Sequence, residues 1–272
     1  MSSNVSRHLV STATSDDGTA IAFEVQGSGT PALIFVHGWS CDRSYWEAQL
    51  KSLSTHTQVV AIDLAGHGAS DTSRQNLTID AFGGDVAAVV QALNLRRVVL
   101  VGHSMGGDVI LEAARRVRDR VCALVWVDAY DQLEEFQTHE RVRERMAPFR
   151  ADFAKSTRAF VRNLFHPTAD VSLIERVAVD MSSAPPRLAL SAMDAAMNYG
   201  RRVPAMLEEL KLPLVAINPG SPSTDVSSLR RHGVEVALVP GVGHFPMMEA
   251  PLEFNSLLLE AFEKFRLRSR DA

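Results

Sequence analysis

The stretch that most constrains this chain is Val98-Val99-Leu100-Val101-Gly102-His103-Ser104-Met105-Gly106-Gly107. A short run of β-branched and aliphatic residues reads as a parallel strand buried on both faces. The run stops at Gly102, and a helical spacing of apolar residues begins at once with Val109, Ile110, Ala113 and Ala114. Between them sits Gly-x-Ser-x-Gly. A strand turning sharply into a helix leaves no room for Cβ atoms beside the turning residue. Gly102 and Gly106 remove them, and Gly107 lets the helix lie close to the sheet. Ser104 is expected at the tip in a strained backbone conformation, its hydroxyl exposed and a helix N-terminus behind it. The flanking strand and helix separate this pentapeptide from a loop in which Ser104 would only cap a helix.

The same pattern repeats along the chain. His8 to Ala13 and Ala20 to Val25 read as two strands joined at Asp16-Asp17-Gly18, a hairpin turn signal. Ala32 to Val36, Val59 to Ile62, Val121 to Val127, Leu212 to Ile217 and Val234 to Val239 read as further strands. Helical spacing lies between them at Arg43–Leu53, Thr78–Leu93 and Asp225–Arg231, and again at Pro251–Phe265. This alternation predicts an α/β fold, a mostly parallel doubly wound sheet with right-handed crossovers. Ligands of such sheets sit beyond the strands' carboxyl ends, where His37, Ser104 and Asp128 all fall.

The alternation breaks between 131 and 202, a stretch of helical pattern rich in Phe and Met. Phe136, Phe149, Phe160, Met181, Met193 and Met197 are among them. An insertion leaving the sheet at its functional edge reads as a helical cap after the sixth strand, roofing an apolar pocket. The expected division is a core of 1–130 and 203–272 with a cap of 131–202.

With 272 residues, 46% of them hydrophobic, the chain can bury one large core. A net charge of −4 argues against nucleic acid or an anionic membrane surface as partner. Cys41 and Cys122 give no disulfide framework and no metal-ligand spacing. No secretory leader and no membrane span stand out, so a cytoplasmic location is expected. Self-association as a homo-oligomer is left open.

A serine hydroxyl needs a base within hydrogen-bond reach and a group that orients the base. Of nine histidines, His37, His67, His103 and His244 lie in loops at the functional edge. His37 and His67 sit where a structural hydrogen bond is the simpler role, and the His103 side chain should point away from that of Ser104. His244, in Gly243-His244-Phe245 after the last strand, is the candidate base.

Together, His37-Gly38-Trp39, Asp63 to Ser70, Gly102 to Gly106 and Gly243-His244-Phe245 resemble the α/β-hydrolase fold family, in family order and over most of the chain. The resemblance implies Ser104 as nucleophile and His244 as base. It also implies an oxyanion hole from the backbone N–H groups of Trp39 and Met105, each donor worth about 3 kcal/mol in the barrier. Asp63, His67 and Ser70 would shape their loop. The acid is less settled. In most of the family it follows the strand Leu212 to Ile217, where Ser221 stands here. Asp128, ending the strand after the nucleophile helix, is the favoured candidate, as in haloalkane dehalogenases. Asp225, explicable as a helix N-cap, and Asp131 are the others. A serine at the nucleophile position excludes epoxide opening and halide displacement, which use an aspartate there.

The resulting expectation is a cofactor-free serine hydrolase acting on a small molecule, an ester, thioester or lactone with an apolar acyl part. The alternatives are hydrolysis of a carbon–carbon bond in a vinylogous diketone, a non-catalytic ligand-binding relative, and a peroxide-dependent side activity.

Overall fold

The computed structural model describes residues 10–75, 77–220 and 224–268. Its eight strands are β1 (Val10–Thr14), β2 (Ala20–Gln26), β3 (Ala32–Val36), β4 (Val59–Ile62), β5 (Val98–His103), β6 (Val121–Val127), β7 (Leu214–Pro219) and β8 (Glu235–Val239). They form one sheet in the order β1-β2-β4-β3-β5-β6-β7-β8. β1 and β2 run antiparallel to their neighbours, and β3 to β8 pair in parallel. Part of the first expected strand, including His8, lies outside the described residues. The turn at Asp17-Gly18 is as expected: Gly18 has φ +87, and the Asp17 carboxylate accepts the Thr19 N–H at 3.1 Å.

Every residue of β3, β4 and β5 is buried, as continuous apolar runs require when helices cover both faces. The covering helices of the first half are α1 (Glu47–Leu53), α2 (Ile79–Ala92) and α3 (Met105–Arg116). The expected helix from Arg43 begins as a 3₁₀ turn at Arg43–Trp46 before α1. α2 starts where Thr78 accepts the Ala81 N–H, an N-cap that the Thr78 start anticipates. α3 buries ten of its twelve residues, from Met105 to Ala114.

Between β6 and β7 the chain leaves the sheet for α4 (His139–Ala151), α5 (Phe153–Arg162), α6 (Val171–Ser182), α7 (Pro186–Tyr199) and α8 (Val203–Leu210). Thr138, Asp152 and Asp170 cap three of these through side-chain oxygens. α7 instead begins with Pro186 at its first position, which needs no N–H partner. The chain closes with α9 (Val226–Arg231), α10 (Pro246–Glu249) and α11 (Pro251–Arg268). Among the described residues no helix is long and apolar enough to cross a membrane.

Candidate active site

The turn after β5 has the conformation its glycines foretell. Ser104 sits at φ 50, ψ −120, a region that side-chain-bearing residues rarely occupy. A Cβ on Gly102 would lie 2.2 Å from the Gly106 carbonyl oxygen, and one on Gly106 would lie 2.5 Å from the Val36 carbonyl oxygen. Both glycines are therefore obligatory, and the strain at Ser104 is held by packing on either side. The sheet holds it as well: the Ser104 N–H donates to the Val127 carbonyl at 3.0 Å. Ser104 thus continues the β5–β6 ladder while its side chain faces away from it.

One strand over, Asp128 repeats the device. It follows β6 directly, has φ 44, and donates its N–H to the Ile217 carbonyl of β7 at 3.2 Å. Its carboxylate reaches His244, whose Nδ1–H donates to Oδ2 at 2.6 Å. A carboxylate can only accept, so the bond fixes the tautomer and leaves Nε2 with its lone pair. Both side chains remain partly accessible, His244 at 20% and Asp128 at 15%.

The loop carrying His244 is tied from three directions. His103, 1% exposed, donates Nε2–H to the His244 carbonyl at 2.8 Å, and the two rings lie 4.7 Å apart. The His244 N–H donates to the Leu164 carbonyl at 2.8 Å, beyond α5. The Glu249 carboxylate accepts the N–H groups of Gly243 (3.0 Å), Phe245 (3.1 Å) and His166 (3.3 Å). Burial pushes the His103 ring well below the usual histidine range, with the neighbouring His244 adding to the effect. His103 is a neutral strut.

Ser104, His244, Trp39 and Met105 line one cavity of about 360 Å³. Among the described residues the Trp39 and Met105 backbone N–H groups donate no hydrogen bond, and none reaches the Ser104 hydroxyl. The rest of the wall is mainly apolar and includes Phe160, Leu164, Met181, Met193, Met197 and Phe245. Phe and Met residues of the inserted segment divide between two tasks. Phe136, Phe160, Met181, Met193 and Met197 face the cavity, whereas Phe149 and Phe153 pack edge-on against Trp39 at 5.8 and 6.0 Å. Trp39 also donates its indole N–H to the Ala189 carbonyl of α7 at 2.7 Å.

The remaining candidates make no hydrogen bond to His244 among the described residues. Asp225 is the N-cap of α9, accepting the N–H groups of Ser227 and Ser228. Those bonds, with the Ser227 hydroxyl first, hold its pKa below the usual range. Asp131 stands at the cavity wall and accepts the Thr224 hydroxyl at 3.3 Å. Ser221, the position at which the resemblance implies the more usual acid, lies outside the described residues. His37 donates Nδ1–H to the Gly38 carbonyl (2.8 Å) and accepts the Leu64 N–H at Nε2 (3.1 Å). Burial lowers its pKa to about 4, and burial with the His37 neighbour lowers that of His67 to about 3. Asp63 accepts the Arg43 and Ala69 N–H groups, each at 2.8 Å, and pairs with the Arg43 guanidinium. Ser70 donates to the Asp63 carbonyl at 2.6 Å. These three residues shape the loop after β4, as the resemblance implies.

Sequence reasoning missed Glu249 and the strut role of His103. A trace of Glu249 was available, since an acid one turn into a helix can accept N–H groups at its start. For His103 there was no signal beyond its neighbour.

Sheet order, the turn at Ser104 and the cavity at the strand ends define an α/β-hydrolase fold. Residues 33–257 match the alpha/beta hydrolase family, and the chain belongs to it. It is 28% identical over 251 residues to the dihydrolipoyllysine-residue acetyltransferase component of an acetoin cleaving system from Pseudomonas putida, covering 89% of this chain and 66% of that one. It is 40% identical over 122 residues to a non-heme haloperoxidase from Rhodococcus erythropolis, covering 44% of each. The chain thus spans two thirds or less of these relatives' lengths. Among solved structures, a thermophilic esterase from Thermogutta terrifontis superposes with a TM-score of 0.82 at 24% identity, covering 94% of this chain and 99% of that one.

Proposed function

We propose that the chain is a serine hydrolase that cleaves a carboxylic ester, thioester or lactone with an apolar acyl part. The observation that carries this reading is the 2.6 Å bond from His244 to Asp128, with His244 and the strained Ser104 on one cavity wall. The Ser104 oxygen attacks the substrate carbonyl, and its proton passes to His244 Nε2. The free N–H groups of Trp39 and Met105 then receive the developing oxyanion. As the carbon–oxygen or carbon–sulfur bond breaks, His244 returns the proton to the leaving group. It next takes a proton from water, which attacks the acyl-enzyme, and passes that proton to the Ser104 oxygen as the acyl–oxygen bond breaks and the acid is released. Asp128 holds the Nδ1–H tautomer and stabilises the imidazolium throughout. The Ser104–His244 contact closes when substrate is bound, since such bonds are commonly long in free enzymes.

Residues 131–202, with helices α4 to α7, act in this reading as a lid that gives the acyl group an apolar environment. The Met and Phe side chains on the cavity support that role, because they suit irregular hydrophobic chains.

The test uses p-nitrophenyl esters of short acyl chains and a fluorophosphonate probe. Turnover and labelling are both expected, and both should vanish in Ser104→Ala. An intact protein that is neither labelled nor active on any ester sinks the reading. Rapid cleavage of a vinylogous diketone in its place would identify carbon–carbon hydrolysis by the same residues.

A further inference from the structure

Asp108 lies one helical turn after Ser104 on α3, about 6 Å along the axis, and lines the same cavity. It is 5% exposed, whereas Glu135 and Arg145, on the same cavity, are exposed. Asp108 therefore belongs to the buried part of the wall and not to its exposed rim. The Tyr130 hydroxyl donates to its Oδ1. Its Oδ2 has no hydrogen bond among the described residues, and no cation pairs with the carboxylate.

The next turn of the same helix provides the contrast. Glu112 is fully buried, but its carboxylate accepts the Tyr199 hydroxyl (3.0 Å) and the Arg115 guanidinium (2.9 Å), with Arg202 at 3.2 Å. Buried carboxylates are normally filled in this way, and an under-filled one in a cavity wall calls for a ligand. A hydrogen-bond acceptor for Tyr130 alone would not need a carboxyl group.

We propose that Asp108, with Tyr130, forms a polar subsite in the buried wall of the cavity that binds a hydroxyl group on the substrate. This rests on the serine-hydrolase reading and narrows it: the preferred substrate is amphipathic, apolar along its length with a hydroxyl several bonds from the scissile carbonyl. Burial raises the Asp108 pKa to about 7. Tyr130 and Tyr199, the titratable groups acting on this site, are pushed upward by burial and stay neutral across the assay range. The exposed Asp131, Glu135 and Arg145 complete the charged groups on the cavity. Above about pH 7 the subsite is a carboxylate, a stronger acceptor for a hydroxyl donor.

The test compares two isosteric pairs of esters. One pair carries the group on the acyl side, p-nitrophenyl 4-(hydroxymethyl)benzoate against 4-ethylbenzoate. The other carries it on the leaving group, 4-(hydroxymethyl)phenyl acetate against 4-ethylphenyl acetate. In one pair the hydroxyl-to-ethyl ratio of kcat/KM should exceed one, rise through about pH 7, and fall roughly tenfold to a hundredfold in Asp108→Leu. Taking ratios cancels any pH dependence that the two esters of a pair share. Asp108→Asn keeps the shape and a partner for Tyr130, so if the Leu variant does not fold, loss of the pH step in D108N carries the test. Ser104-dependent turnover of these esters with ratios that ignore both pH and Asp108 overturns this inference alone. Absence of any Ser104-dependent turnover overturns it together with the hydrolase reading.

Discussion

The strand-end edge and the inserted helices form opposite walls of one cavity, and they are built differently. At the edge, Ser104 and Asp128 each follow a buried strand, each take positive φ, and each still donate an N–H into the next strand. Their positions are set by backbone ladders. In the insert, α4 buries only Val142, Met146 and Phe149. Helices α4 and α5 meet the Trp39 side chain by ring edges, and α7 meets the body by the Trp39 indole bond and the Tyr199 hydroxyl on Glu112. Positions there are set by side-chain contacts. In the proposed hydrolase reading, the ladder-held wall carries the reacting groups, and the Phe and Met side chains of the insert give the substrate its apolar surroundings. The His244 loop joins them, taking a bond from His103 on the sheet side and giving one to Leu164 on the other.

That division can be broken most severely at Asp128. Asp128→Asn should lower kcat on the order of 10⁴-fold, because it upsets the His244 tautomer. Steady-state kinetics on a p-nitrophenyl ester checks this; a loss of tenfold or less would show that the ladder-held carboxylate is not the orienting acid. Glu249→Ala removes the acceptor for two N–H groups of the histidine loop and for that of His166 in the insert. It should cost about 2–3 kcal/mol of stability in urea unfolding and reduce kcat more than it raises KM. A KM effect alone would move Glu249 to the substrate-selecting side.

Trp39→Phe removes the indole bond to α7 while keeping the backbone N–H. The expected loss is about 2 kcal/mol, with KM rising more than kcat falls. A dominant kcat defect would mean that the insert sets the oxyanion donor as well as the substrate. Stability against pH sharpens the comparison on the body side. His37 and His67 have folded pKa values of about 4 and about 3, below the unfolded 6.5. Protons bind the unfolded chain first, so their contribution is whole above about pH 6.5 and is lost as pH falls towards 4 and 3. Asp108, raised to about 7, opposes this, since its burial costs most above pH 7. The urea midpoint should still fall on acidification below pH 6.5, with a shallower slope in His37→Gln. The smallest effect belongs to Asp225→Asn, which exchanges one good N-cap for another and should leave kcat unchanged and stability within about 0.5 kcal/mol.

The sheet and the turn at Ser104 were legible because both are local. An apolar run with glycine at its end names a buried strand and a sharp turn without reference to anything distant. His244 was legible for a similar reason, as the histidine of a glycine-rich loop after the last strand. The carboxylate that touches it was open among Asp128, Asp225 and Asp131. Only the structure brings Asp128 to His244, because that bond joins residues 116 positions apart and depends on β6 lying between β5 and β7. Asp108 and Glu249 were silent for the same reason: an acid on a helix reads as a solvated face until its neighbours are known. Sequence alone determined which segments become strands, turns and helices, since short-range sterics and periodicity suffice for that. Tertiary structure decided which polar groups meet and which stay unfilled, because hydrogen bonds over such separations exist only once the sheet has set the distances.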